Sequence, residues 1–206
     1  MPLAIPEESS GSYEKCPEGN HVAVCCSIVD LGTQHSEKYN TDQRKILIEW
    51  EVSGEVKEDG TPFYIDQIYT FSMNEKAALR RDLESWRGVK FSKEDFGRFE
   101  LSNVLGVGCM LNVVWAESGD KVYANIASIA RLPKGMAAPS LIARRRCLSL
   151  EPGEFDSDEM AGLREPILAK IKESPEFRKL TTGRGIELNN KLNQTSAEVA
   201  EEEIPF

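Results

Sequence analysis

The sequence is poor in the residue types on which most enzymes depend. Histidine occurs twice, at His21 and His35, so a histidine-based triad or a multi-histidine metal site has little to be built from. No Gly-Lys-Ser/Thr phosphate loop and no Cys-x-x-Cys pair is present. The five cysteines, Cys16, Cys25, Cys26, Cys109 and Cys147, form an odd set without framework spacing. Cys25 and Cys26 are adjacent and point to opposite faces of any strand, so core thiols in a reducing cytosol are the expected reading, not a zinc site. No apolar run is long enough to cross a bilayer, and the acidic, Pro/Ser-rich stretch from Met1 to Lys15 has the composition of neither a signal nor a transit peptide. Excess positive charge is also missing: 34 acidic residues against 25 basic ones leave a net charge of −9. The expectation is a cytoplasmic, non-enzymatic protein without metal or cofactor, and not a globally basic nucleic-acid binder.

What is present is one core's worth of alternating sequence with polar appendages. Residues 1–18 read as a flexible arm. His21 to Leu31 is a β-rich apolar run, and Gly32 to Asp42 a long polar hairpin loop. Arg44 to Val52 alternates, with Ile46, Ile48, Trp50 and Val52 on one face and Lys45, Glu49 and Glu51 on the other. A turn through Gly54 and Asp59-Gly60 leads to a third strand, Phe63 to Met73. The period then changes. Asn74 is a candidate N-cap for a helix whose apolar stripe is Leu79, Leu83 and Trp86, and Gly88 stops it. Gly108 to Trp115 and Val122 to Leu132 are the fourth and fifth strands. Three strands, a helix and two strands predict a mainly β protein, a five-stranded OB-fold barrel over residues 19–135. Residues 136–154 read as a linker containing Arg144-Arg145-Arg146, residues 155–182 as short helices, and residues 183–206 as a disordered acidic tail.

That tail ends on Glu201-Glu202-Glu203-Ile204-Pro205-Phe206. It is too short and too charged to join a core. A partner with an apolar slot and a basic rim could take Phe206 in the slot, meet its carboxylate with a cation, and be steered by the glutamates. Pro205 limits the entropy lost on docking. The tip resembles the acidic C-terminal peptide of bacterial-type single-stranded DNA-binding proteins, with Glu in place of the usual Asp. That resemblance implies recruitment of DNA-metabolism enzymes. The segments Val29 to Gln34, Leu83 to Gly88 and Tyr123 to Ser128, with Ser174 to Phe177 downstream, resemble bacteriophage and prophage proteins associated with replication and single-strand binding. This second resemblance implies a phage-encoded protein working in the bacterial cytoplasm.

Sequence-tolerant strand binding needs rings for bases to stack on and cations along the phosphate track. OB domains put both on the face of strands two and three and on the loops joining strands one to two and four to five. Those regions supply Tyr39, Arg44, Lys45, Tyr64, Tyr69, Lys121 and Tyr123. Arg80, Arg81 and Arg87 on the helix are further candidates, although Asp82 and Glu84 beside them favour surface ion pairs equally. Trp50, Phe71 and Trp115 share apolar phases with Ile48, Met73 and Val113, and core packing is expected for them. Two non-enzymatic functions fit. One is single-stranded DNA binding in replication or recombination, with strand annealing as a related activity. The other is an adaptor or decoy whose tip captures partners of a host single-strand binder, for which a barrel face dominated by Glu49, Glu51 and Asp66 would speak. A homo-oligomer is compatible with either.

Overall fold

The alternation of apolar and polar residues carries through into the strands of the computed structural model, which describes residues 14–37, 40–119 and 121–182. Tyr39 and the 183–206 tail, with Glu201, Glu202, Glu203, Ile204, Pro205 and Phe206, lie outside the described residues. The chain is mainly β. In order it forms β1 (Gly19–Ser36), β2 (Thr41–Val56), β3 (Pro62–Thr70), α1 (Ala78–Arg87), β4 (Gly108–Ser118), β5 (Lys121–Ala130), β6 (Arg146–Leu148) and α2 (Glu165–Glu173). A last helix, α3, covers residues 175–182.

β1 organises the sheet. One edge pairs antiparallel with β2 from Ala23 to Ser36, and the other pairs with β4 from Gly19 to Val24. The strand order is β3-β2-β1-β4-β5. β6 adds a parallel rung against Ser27 to Val29, on β1's far half. β3 and β5 approach each other without sharing a ladder, so the sheet stays open. The sequence order of three strands, a helix and two strands is present. The short β6 is an addition to it, in a stretch whose sequence carries no alternation.

Two apolar clusters flank this sheet. The inner one joins Ala23, Cys25, Ile28, Ile46, Ile48, Trp50, Val52 and Ile65 to the stripe of α1, namely Leu79, Leu83 and Trp86. Trp50 and Trp86 meet with ring centroids 5.8 Å apart, and the Trp86 indole N–H donates to the Gly108 carbonyl at 2.9 Å. Gly88 ends α1 in the left-handed region, as expected. The helix starts later than the sequence suggests. The Asn74 side chain accepts from the Lys76 N–H, closing a turn of its own, and Ala77 is the N-cap.

The outer cluster is built by the C-terminal segment. Val29, Leu31 and Leu47 on the sheet pack against Leu148, Leu150, Ile167 and Ile171, with Phe177 and Leu180 beside them. The span read as a linker therefore contributes β6 and two buried leucines. A clasp holds the cover in place. Gly32 sits at φ +67, and a Cβ there would lie 2.4 Å from the Ser174 Cβ. The Glu176 carboxylate accepts from the Thr33 N–H at 2.8 Å and from its hydroxyl at 2.6 Å. Residues 29–34 and 174–177, far apart in sequence, thus meet across the fold.

Residues 14–18 tie down the opposite end. Glu14 accepts from the Glu58 N–H at the β2–β3 tip, Cys16 is buried in the inner cluster, and Glu18 accepts from the Trp115 N–H on β4. Among the described residues, no helix is long and apolar enough to cross a membrane.

Candidate nucleic-acid interface

The predicted site residues among the described ones divide into four groups. Tyr69 leaves the set of stacking rings. It is 2% exposed and packs in the inner cluster, with its hydroxyl donating to Asp82 at 3.1 Å. Burial first, and then the Asp82 carboxylate, push that hydroxyl's pKa upward.

Arg44, Arg80, Arg81 and Arg87 all hold carboxylates. Arg44 bridges Asp30 and Glu151. Arg80 pairs with Glu84 at 2.9 Å and Arg81 with Asp82 at 3.1 Å. Arg87 pairs with Asp95, and its hydrogen bond, followed by that of the Ser92 N–H, pulls the Asp95 pKa down to about 2. Lys45 donates to Gln43 and to the Thr70 hydroxyl. These cations are anchored, not loose. Three nevertheless lie on aromatic rings: Arg44 is 6.0 Å from the Phe71 centroid, Arg80 is 4.8 Å from Phe96, and Arg87 is 5.0 Å from Phe91.

Lys121 and Tyr123 remain open at the β4–β5 hairpin. Trp115 stands in the same hairpin, 46% exposed, with Lys15 5.6 Å from its ring centroid and its indole N–H donating to the Cys16 carbonyl. The expectation that Trp115 and Phe71 are core residues is overturned. Trp115 lies opposite Ala124, in the phase that continues Val113 and Ile126, yet the hairpin runs past the end of the core. Phe71 is 47% exposed because β3 ends at Thr70 and the chain bends there. Trp50 is fully buried, as expected. Among the described residues, Phe71, Phe96, Trp115 and Tyr123 are the large exposed rings. Apolar phase conceals Phe71 and Trp115; strand length is the signal that would have found them.

The face of β2 and β3 is different. Its outer residues include Glu49, Glu51, Tyr64 and Asp66, and the chain partly covers them itself. Glu51 accepts the Ile142 and Ala143 N–H groups at 2.9 and 2.7 Å and the Tyr64 hydroxyl at 3.4 Å. Arg164 pairs with Asp66 at 2.6 Å, and Arg144 pairs with Glu159. What stays open is a cleft of about 350 Å³ under residues 143–146 and 162–167. Burial first, and the neighbouring Asp66 next, raise the pKa of Glu49 within it. A strand cannot run along this whole face over the covering segment. Stacking rings are instead offered at the two ends of the sheet, by Phe71 with Arg44 and by Trp115 with Lys15.

No family model matches the chain, and no curated protein matches it.

Proposed function

We propose that this protein binds single-stranded DNA through an OB-type core, in phage replication or recombination in the bacterial cytoplasm, and that its Glu201–Phe206 tip recruits DNA-metabolism enzymes. The observation that carries the reading is the set of exposed rings with cations beside them. Trp115 with Lys15 combines an open aromatic surface with positive charge, and Phe71 and Phe96 are open rings beside the ion-paired Arg44 and Arg80. Such pairs are what sequence-tolerant strand binding uses, each stacked base contributing roughly 1–3 kcal/mol. The strand order, with β1 shared between β2 and β4 and a helix before β4, supports the OB-type reading. The net charge of −9 does not oppose it, because much of the acidic excess lies beyond Leu150.

The test is fluorescence anisotropy of labelled oligo-dT at two salt concentrations, with unlabelled duplex as competitor. Sub-micromolar binding that duplex does not displace is expected, with a salt slope of about −0.7 per phosphate contact. Trp115→Ala and Phe71→Ala should each weaken it about fivefold or more. Absence of binding at low salt, with residues 198–206 removed, refutes the proposal.

A second reading has its own observation. The β2–β3 face carries Glu49, Glu51 and Asp66, which suits an adaptor or decoy whose tip captures partners of a host single-strand binder. Retention of such partners by the tip, with no strand binding, would select it.

A further inference from the structure

Where the β2–β3 face is covered, the other side of the sheet is open. One face of the β4–β5 ladder sets Asn112, Val114 and Ala116 opposite Ser128, Asn125 and Tyr123. The opposite face sends Leu111, Val113 and Ile129 into the inner cluster. Of the six outward residues, Asn112 is half-buried and the others are exposed. Lys121 continues their row at the hairpin, opposite Ser118. None of these residues is acidic, in a chain that carries 34 carboxylate side chains.

The row is cationic at both ends. Beyond Ala130, β5 runs into Arg131, and Lys134 follows shortly after. Both line a groove of about 560 Å³ between the end of α1 and the start of β4, with Trp86, Val107 and Gly108 and without a carboxylate. Arg87 also lines it but is held by Asp95. Lys121, Arg131 and Lys134 are different. They are exposed, and their side chains make no ion pair or hydrogen bond among the described residues. The Arg131 stem rests against Gly88, its Cδ 3.3 Å from the place a Cβ would take there, so the side chain is supported while its charge stays uncompensated. Such groups attract phosphate without first having to break a native pair.

An exposed, uncharged sheet face also suits a second copy of the chain. A two-fold contact along β5 would run the two strands antiparallel, however, and would set Lys121 of one copy toward Arg131 and Lys134 of the other, like charge on like. A polyanion meets no such cost. Tyr123 and Arg131 are separated by about 26 Å of strand at roughly 3.3 Å per residue. That is the reach of a few extended nucleotides, at the lower end of the roughly 4–16 that one OB-type domain holds.

We infer that the bound strand lies along the outward face of β4 and β5, with a base on the Tyr123 ring and phosphates on Lys121 at one end and on Arg131 and Lys134 at the other. The inference rests on the single-strand reading and deepens it, by naming a path that avoids the covered β2–β3 face.

The experiment measures oligo-dT affinity against salt for the full-length protein and three variants. Arg131→Gln with Lys134→Gln should make the salt slope shallower by about 1.4, two contacts at about 0.7 each. Lys170→Gln with Lys172→Gln removes the same charge on α2 and should leave the slope unchanged. Tyr123→Ala should weaken binding about fivefold or more at every salt concentration without altering the slope. A slope that the Arg131 and Lys134 substitutions do not change, or that the α2 control lowers equally, overturns the inference and leaves the single-strand reading intact. Failure of the unsubstituted protein to bind oligo-dT at low salt, with or without residues 198–206, overturns both. Light scattering on Tyr123→Ala adds a last arm: loss of a homo-oligomer with strand binding unchanged makes this face a contact between copies and overturns the inference.

Discussion

Replacing Gly32 with alanine should loosen the C-terminal cover while leaving the inner core folded. The substitution has two separable costs. At φ +67 an L-residue loses roughly 1–2 kcal/mol for the left-handed backbone alone. The new Cβ would also lie 2.4 Å from the Ser174 Cβ, 2.5 Å from its hydroxyl oxygen and 2.8 Å from a Glu176 carboxylate oxygen. Ser174 is fully buried and cannot swing away, so overpacking adds about 1–3 kcal/mol. The sum, about 2–5 kcal/mol, is a large share of the roughly 5–15 kcal/mol that stabilises an ordinary domain. Gly54→Ala supplies the control, because Gly54 is at φ +86 and nothing lies within 4 Å of the place its methyl group would take. It carries the backbone cost without the clash. Denaturant titration should find Gly32→Ala less stable than Gly54→Ala by at least about 1 kcal/mol. Amide exchange should place that loss in residues 165–182, with β1 to β5 retaining their protection. Equal destabilisation by the two substitutions would refute the packing of Ser174 against Gly32.

Glu176→Ala removes both acceptors from Thr33 and should cost about 1.5–3 kcal/mol in total, read by the same exchange experiment. Glu49 has its folded pKa raised above the ordinary 4.5 by burial and by Asp66; its stabilising contribution is therefore complete below pH 4.5 and is lost as pH rises through the folded value. Glu49→Gln should accordingly raise the thermal midpoint at pH 7, and the gain should vanish toward pH 4. Deleting residues 198–206 should tighten binding of oligo-dT at low salt, where the acidic tip competes with DNA for cationic groups, and should have no effect at high salt.

The elements with strong periodicity are legible in the sequence alone. Ile46, Ile48, Trp50 and Val52 alternate inward, and Leu79, Leu83 and Trp86 follow a helical stripe, so local spacing already contains their partners' direction. Spacing fixes a face but not where the core ends. That is why Trp115, in phase with Val113, emerges into solvent, and why Tyr69, a base platform by its position on the third strand, is buried instead. The cover is invisible for a different reason. Leu148 and Leu150 follow three arginines and have no periodic neighbours; they become core residues only because β6 finds the free edge of β1. The cleft is beyond reach for the same cause, since its two walls lie about a hundred positions apart in sequence.

The clasp between Thr33 and Glu176 also has a temporal side. The strands it closes over are finished early in synthesis, whereas Ile167, Ile171 and Phe177 arrive more than a hundred residues later. At ribosomal speeds of about 5–20 residues per second, Val29, Leu31 and Leu47 stay uncovered for on the order of ten seconds in each nascent chain. During that interval the emerging polypeptide presents a bare apolar stripe beside an unpaired stretch of β1, a surface suited to a chaperone or to a neighbouring nascent chain. Truncated translation products that end before β6 would keep it permanently, and their fate in the cell would be governed by quality control instead of by function.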